Sequence, residues 1–239
     1  MLGIMLAAIC MAALIAVVYV KSLYVWEYIT PSIKGLGRDD PEVVLRRVIS
    51  ITISSLIAWC ITERYTGHVW VIPETSYGNL IRTATQVTVL LAGPLYQHMC
   101  QSTKLVRFDL NFLRDVVLSP FFEELVFREF MFQILRSGGC STVLTIMVAP
   151  AVFGCAHIHH YIGCLPMHAI AGQIFHTFVF GWIAFYFLLH RSMWDGVLAH
   201  SICNLIGLPR TVNGNPAPRH AVLIYVLGLV LFLGSTPCV

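Results

Sequence analysis

The sequence predicts an all-α fold: a polytopic bundle of about eight transmembrane helices around a polar cavity that opens toward the cytosol. Three observations carry this expectation. Hydrophobic residues make up 57% of the chain and charged residues 11%, against about 25% charged in an ordinary soluble domain; mean hydropathy is +0.77. The apolar residues gather into separate runs of membrane-helix type. One of those runs also holds Glu123, Glu124, Arg128 and Glu129. Each such charge costs about 2.5–3.5 kcal/mol at the centre of a membrane helix on insertion scales, so that helix faces a cavity or a packed interior rather than lipid.

The runs fall at 2–20, 48–62, 83–99, 120–136, 142–157, 169–189, 192–206 and 221–235. The first, Leu2–Val20, has no basic residue ahead of it and is followed by Lys21. A cleavable signal peptide normally carries a positive leading region, so a retained span is expected. Several runs are shorter than the roughly 20 residues a lone span needs, and tilted, re-entrant or protein-surrounded helices are expected among them. The longest polar stretches, Lys34–Arg47, Glu63–Arg82 and Gly207–His220, read as loops. No repeat or low-complexity linker divides the chain, which reads as one membrane domain over 1–239.

The basic residues are distributed unevenly. Loops after the first, third, fifth and seventh runs hold Lys21, Lys34, Arg38, Arg46, Arg47, Lys104, Arg107, Arg114, Arg210 and Arg219; the others hold Arg64, Arg82, Arg136 and Arg191. The positive-inside tendency assigns the richer set to the cytosol. Glu123, His157 and Asn204 then lie near the cytosolic ends of three different helices.

In the fourth run, Ser119-Pro120 reads as a helix start, with serine as cap and proline at the first position. Glu123 falls in the first turn or so, where the helix dipole favours negative charge. Glu124 and Arg128, four residues apart, share a face and are expected to form a structural ion pair. Glu123 points about 100° away and has no evident partner on its own helix, which leaves it available as a base. The fifth run ends on Phe153-Gly-Cys-Ala-His157, where Phe153 and His157 share a face and the phenyl ring is expected to wall the pocket. The seventh run carries His200-Ser-Ile-Cys-Asn204, an imidazole and a carboxamide one turn apart. The imidazole switches protonation near neutrality and the carboxamide is a neutral donor. His98, His168, His176, His190 and His220 read as hydrogen-bonded packing residues, and His159 and His160 as loop-edge or packing residues.

Other chemistries are weaker. A net charge of +3, scattered along the chain, gives no case for nucleic acid. The eight cysteines are dispersed without a CxxC pair, which argues against a disulfide framework or a zinc ribbon. A metal-dependent hydrolase using Glu123, His157, His159 and His160 is an alternative, but the HExxH motif is absent. A non-catalytic scaffold that keeps polar residues for helix packing is a second alternative. No GxSxG elbow accompanies Ser201 or Cys203.

Taken in order, Glu123-Glu124-x-x-x-Arg128, Phe153-x-x-x-His157 and His200-x-x-x-Asn204 resemble the three motifs of the CAAX protease and bacteriocin-processing family. Phe153–His160 and His200–Gly207 look particularly like the eukaryotic type II branch, and the similarity covers roughly residues 85–210. The resemblance implies a metal-independent, cofactor-free intramembrane endopeptidase of the endoplasmic reticulum. Its substrates would be prenylated CAAX proteins such as small GTPases, and its product the released C-terminal tripeptide. It also implies that Glu123 and His157 activate water, that His200 and Asn204 form an oxyanion hole, and that Glu124 and Arg128 hold the architecture.

Overall fold

The computed structural model describes residues 2–30, 33, 35–101, 107–161, 166–207 and 219–236. The side chains of His98, Gln101, His160, Tyr161 and residues 219–221 are not among those described. Lys34, Lys104, Arg210, Cys164 and Cys238, and the roles expected of the His98, His160 and His220 side chains, therefore lie outside the described residues.

The described residues form helices and no strand. α1 spans Leu2–Ser22 and buries a stripe of small residues, Ala8, Ala12 and Ala16, with Ile15 and Tyr19. Small side chains four apart let helix backbones approach closely. α2 is the short Val25–Ile29. α3, Pro41–Thr66, starts at Asp40, whose carboxylate accepts the Glu42 N–H at 2.9 Å, and stops at Gly67 with φ 72°. α4, Tyr77–Leu90, is capped by the Ser76 hydroxyl. The polar stretches 34–47 and 63–82, read as loops, are therefore partly helical. Their Asp, Ser and Pro residues are capping chemistry rather than loop filler.

The run 83–99, expected to be one span, is two helices: α4 and then α5, Ala92–Gln101. Pro94 has no N–H for the Leu90 carbonyl, so the ladder breaks there. Gly93 meets Tyr225 so closely that a Cβ would lie 2.5 Å from its ring.

α6 is continuous over residues 110–137, and it corrects the expected helix start at Ser119-Pro120. It begins at Leu110, where the Asp109 carboxylate accepts the Phe112 N–H at 2.9 Å. The helix passes through Ser119–Glu124 and ends with Met131–Ser137. Two stretches, Leu113–Leu118 and Leu125–Phe130, are wound in the wider i→i+5 register, on either side of the two glutamates. The wide turn ahead of Pro120 lets proline sit inside a helix that it would otherwise break.

α7 spans Thr142–Ala156 and runs into a 3₁₀ turn, His157–Tyr161. α8 is Met167–His190, α9 is Met193–Ile206 and α10 is Arg219–Ser235. Among the described residues, four helical segments are individually long and apolar enough to cross a membrane: Leu2–Ser22, Pro41–Thr66, Thr142–His159 and Met167–His190; Val222–Ser235 is a shorter apolar helix. The remaining apolar runs lie in shorter or charge-bearing helices packed among them.

The main core joins α1, α3, α6 and α7, with Phe127, Phe130, Met131, Ile134 and Phe153 at its centre. A second cluster joins α4, α8, α9 and α10 through Val87, Phe187, Ala199 and Phe232. Gly181 of α8 lies against Pro150 of α7, where a Cβ would stand 2.6 Å from the proline Cβ. Asp195, wholly buried in the first turn of α9, accepts hydrogen bonds from the hydroxyls of Thr75 (3.0 Å), Thr83 (2.6 Å) and Ser192 (2.9 Å). Arg191 bonds to Thr83 and to Gln86 of α4. This network fixes α9 against α4 at the end of the helix remote from Asn204.

Candidate active site

A cavity of about 910 Å³ lies between α1, α3, α6, α7, α8 and α9. Glu123, Phe153, His157, His200 and Asn204, drawn from three helices and one helix end, all line it. Tyr19, Ile51, Phe127 and Phe180 supply apolar wall, and Arg38, Arg47, Arg114 and Asp115 supply charge.

The two adjacent glutamates are sorted by the helix that carries them. Glu124 points into protein with a fully buried side chain, while that of Glu123 is 23% exposed, toward the cavity. Glu124 Oε2 lies 3.2 Å from Arg128 Nε. This is the ion pair expected from the four-residue spacing, although neither atom is aligned for a hydrogen bond. Arg128 is instead clasped by aromatic faces, its guanidinium 4.2 Å from the Phe153 ring centre and 5.7 Å from that of Phe180. Gly196 of α9 packs beside the carboxylate; a Cβ there would lie 3.5 Å from Glu124 Oε2, an ordinary contact.

Glu124 has a second contact that the sequence did not reveal. Its Oε1 lies 2.8 Å from His200 Nδ1, while His200 Nε2 faces Glu123 Oε2 at 3.8 Å. The imidazole therefore stands between two consecutive carboxylates, held by the buried one and presented to the exposed one. With Glu124 ionised, Nδ1 must be the donor in this bond, because a carboxylate only accepts. For Nε2 to donate toward the cavity as well, the ring must carry both protons. Phe180 packs on the same ring at 4.8 Å between centres.

His157 lies just past the end of α7, its Nδ1 2.9 Å from the Phe153 carbonyl and its ring edge-on to Phe153 at 5.0 Å. A carbonyl also only accepts, so Nδ1 carries the proton and Nε2 is the basic nitrogen of the neutral ring. Phe153 is buried and lines the cavity. His159 hydrogen-bonds the Ala156 carbonyl and meets Tyr24 edge-on. His176, read from sequence as a packing residue, is exposed on the cavity lining and bonded to the Gly172 carbonyl of its own helix.

Asn204 is positioned from across the cavity mouth. Its Nδ2 donates to the Asp115 carbonyl of α6 at 2.8 Å. That carbonyl is available for a local reason. In the wide register Ser119 N–H bonds to Arg114 O, and Pro120, next in line, has no N–H to offer Asp115 O. One hydrogen of the Asn204 amide fills the gap, and the second remains for another acceptor.

The Asp115 side chain belongs to a charged rim ahead of the apolar run 120–136. Arg114 bonds to it at 2.7 and 2.8 Å, to Asp39 at 2.9 Å and to the Arg38 carbonyl at 3.0 Å; Arg38 pairs with Asp115 at 3.3 Å. Burial pushes the Asp115 carboxyl up, but the Arg114 and Arg38 guanidiniums more than offset this and hold it below the ordinary carboxylate range. Among the described residues no three His, Cys, Asp or Glu side chains are grouped as ligands for a metal ion.

Residues 107–206 match the family model of the type II CAAX prenyl endopeptidase, Rce1-like. Over 241 residues the chain is 30% identical to the probable CAAX prenyl protease 2 of Schizosaccharomyces pombe, covering 90% of this chain and 87% of that protein. It is 31% identical over 259 residues to CAAX prenyl protease 2 of Homo sapiens, covering 90% and 75% of the two chains. It is 26% identical over 220 residues to the Caenorhabditis elegans protein of the same name, covering 80% and 82%. No solved structure matches the chain significantly.

Proposed function

This chain belongs to the type II CAAX prenyl endopeptidase family, and on that premise we propose that it cleaves by a glutamate-activated water held opposite a His/Asn oxyanion hole. It is a multi-pass membrane endopeptidase whose substrates are prenylated CAAX proteins. The observation that carries the mechanism is the convergence of Glu123, His157, His200 and Asn204 on one cavity, with Glu124 buried behind them and bonded to His200.

Glu123 is the cavity-facing carboxylate and takes a proton from water, with His157 Nε2 as the second acceptor orienting it. The hydroxide attacks the carbonyl carbon of the scissile peptide bond. Negative charge forms on the carbonyl oxygen, where His200 Nε2–H and the second Asn204 amide hydrogen receive it. The C–N bond then breaks as the proton held by Glu123 passes to the departing nitrogen, and the tripeptide leaves with a free amine. Glu124 does not touch the reacting atoms. It holds the His200 ring through Nδ1 and neutralises Arg128.

The prenyl chain occupies the apolar part of the cavity, beside Phe127, Phe153 and Phe180. Small GTPases are the substrate class whose termini fit this chemistry. The site faces the cytosol of the endoplasmic reticulum membrane; the presence of Arg38, Arg47 and Arg114 on the cavity lining supports this orientation.

The test is cleavage of a farnesylated CAAX peptide by the purified protein in liposomes, with and without a strong metal chelator. Glu123→Gln is expected to abolish tripeptide release while the protein stays folded, and wild-type activity to survive chelation. A Glu123→Gln protein that still cleaves would sink the role given to this residue, and loss on chelation would favour metal-dependent hydrolysis.

A further inference from the structure

We propose that Arg47 binds the free C-terminal carboxylate of the substrate, forming an anion subsite that registers the cut three residues from the chain end. The inference rests on the endopeptidase reading above and names a part of that site which the reaction itself does not require.

An enzyme that releases a short C-terminal peptide has to sense where the chain ends. The chemical mark of that end is its carboxylate, a charge that is costly to bring into an apolar cavity unless a cation receives it. Three extended residues reach about 10 Å, so the receiving cation must stand away from Glu123 but on the same cavity. Among the described residues, Arg38, Arg47 and Arg114 are the arginines on the lining.

They are not equivalent. Arg114 is saturated by Asp115, Asp39 and the Arg38 carbonyl. Arg38 is exposed and paired with Asp115. Arg47 makes no hydrogen bond or ion pair among the described residues; only longer-range charge from groups such as Tyr24, Glu27 and the other two arginines acts on it. The contrast with its neighbour on α3 is direct. Arg46 is committed to Glu42 at 2.6 Å, to Thr30 at 2.8 Å and to the face of Trp26. A half-buried guanidinium without an acceptor is unfavourable in a resting protein, and its fork of donors matches a carboxylate in two-point contact.

The experiment pairs two farnesylated peptides of one sequence, one ending in a carboxylate and the other in a carboxamide. Wild type, Arg47→Gln and Arg47→Lys are assayed in liposomes of zwitterionic lipid. Wild type is expected to cleave the acid at least about tenfold more efficiently than the amide, as the loss of a charge-assisted contact implies. Arg47→Gln should lower kcat/KM for the acid about 10–100-fold and leave the amide within about twofold. Arg47→Lys should fall between them. The retained amide rate doubles as the test of folding.

Equal loss on both peptides, or no loss on either, overturns the proposal. So does a loss that falls equally on both and appears only when anionic lipid is added, because the guanidinium would then be binding a phosphate headgroup. A folded wild type that cleaves neither peptide overturns the endopeptidase reading, and this subsite with it.

Discussion

His200 has a carboxylate on each side of its ring, and the two cannot have the same duty. Glu124 is buried against Arg128 and the ring, so its removal takes the nearest carboxylate from a guanidinium that otherwise packs on two phenyl faces. Breaking such a buried pair costs about 3–5 kcal/mol. Glu124→Gln should therefore lower thermal stability in detergent by that order, whereas Glu123→Gln, at the cavity surface, should leave the melting temperature nearly unchanged. The separation of the glutamates was legible in sequence because neighbouring helical positions point about 100° apart. The bond from Glu124 to His200 was not, since it joins residues 76 apart in the chain. Pro120 makes a second prediction at this scale. Pro120→Ala returns an N–H to α6 within reach of the Asp115 carbonyl, which competes with Asn204 for it. Helix propensity also favours alanine, by up to about 3 kcal/mol in a helix interior. The variant should melt higher than wild type and yet lose about tenfold in kcat, because the amide proposed as an oxyanion donor is no longer held. In an Asn204→Ala background the same substitution should cost no further activity. A fall in kcat of equal size in both backgrounds would separate Pro120 from Asn204.

Among the elements, α9 shows how a helix is aimed. Its far end carries the His200–Asn204 pair, and its first turn is pinned by Asp195 to three hydroxyls from the preceding segments and α4. Each hydrogen bond to a buried charge contributes about 1.5–3 kcal/mol, and part of that is recovered when the hydroxyls find other partners. Asp195→Ala should thus destabilise the protein by about 2–4 kcal/mol, measured by thermal unfolding, and lower kcat by loosening the angle of α9. A variant as stable as wild type would remove Asp195 from this role. The lone carboxylate in the apolar run 192–206 is a signal in its own right, because intramembrane charges mark polar interiors, but its hydroxyl partners Thr75 and Thr83 lie on segments that the sequence does not bring together with it. The start of α6 is hidden in the sequence for a different reason. Ser119-Pro120 has the composition of a helix N-terminus, but a wide turn accepts a proline without ending the helix, and sequence does not announce such turns. The split between α4 and α5 was foreshadowed by Gly93-Pro94. The eight apolar runs were legible as helical segments because hydropathy is a property of composition. Their individual ability to span was not, because it depends on where each helix ends.

At the scale of the whole molecule, the cavity is a gap between helices, so its shape depends on how closely particular helices approach. Two glycines set such distances, one beside the cavity and one away from it. Gly181 brings α8 onto Pro150 of α7, and these two helices carry Phe153, Gln173, His176, Thr177 and Phe180 on the cavity wall, with His157 just past the end of α7. Gly228 brings α10 onto α4, where a Cβ would lie 2.4 Å from the Val89 carbonyl oxygen, and neither helix contributes to the lining. Both Gly→Ala changes overfill a tight crossing, a defect that typically costs about 1–3 kcal/mol, and both should lower the melting temperature. Their catalytic effects should differ. Gly181→Ala has to push α7 and α8 apart or tilt one of them, displacing His157 relative to Glu123 and His200. A shift near 1 Å in such a constellation costs on the order of 10²-fold in rate. Gly228→Ala relieves its clash in the α4–α10 layer and should keep kcat/KM on a farnesylated peptide within about twofold, once normalised to folded protein. Equal catalytic losses from the two substitutions would mean that the helices respond as one rigid stack. The cavity would then be set by the whole bundle rather than by the α7–α8 crossing that walls it.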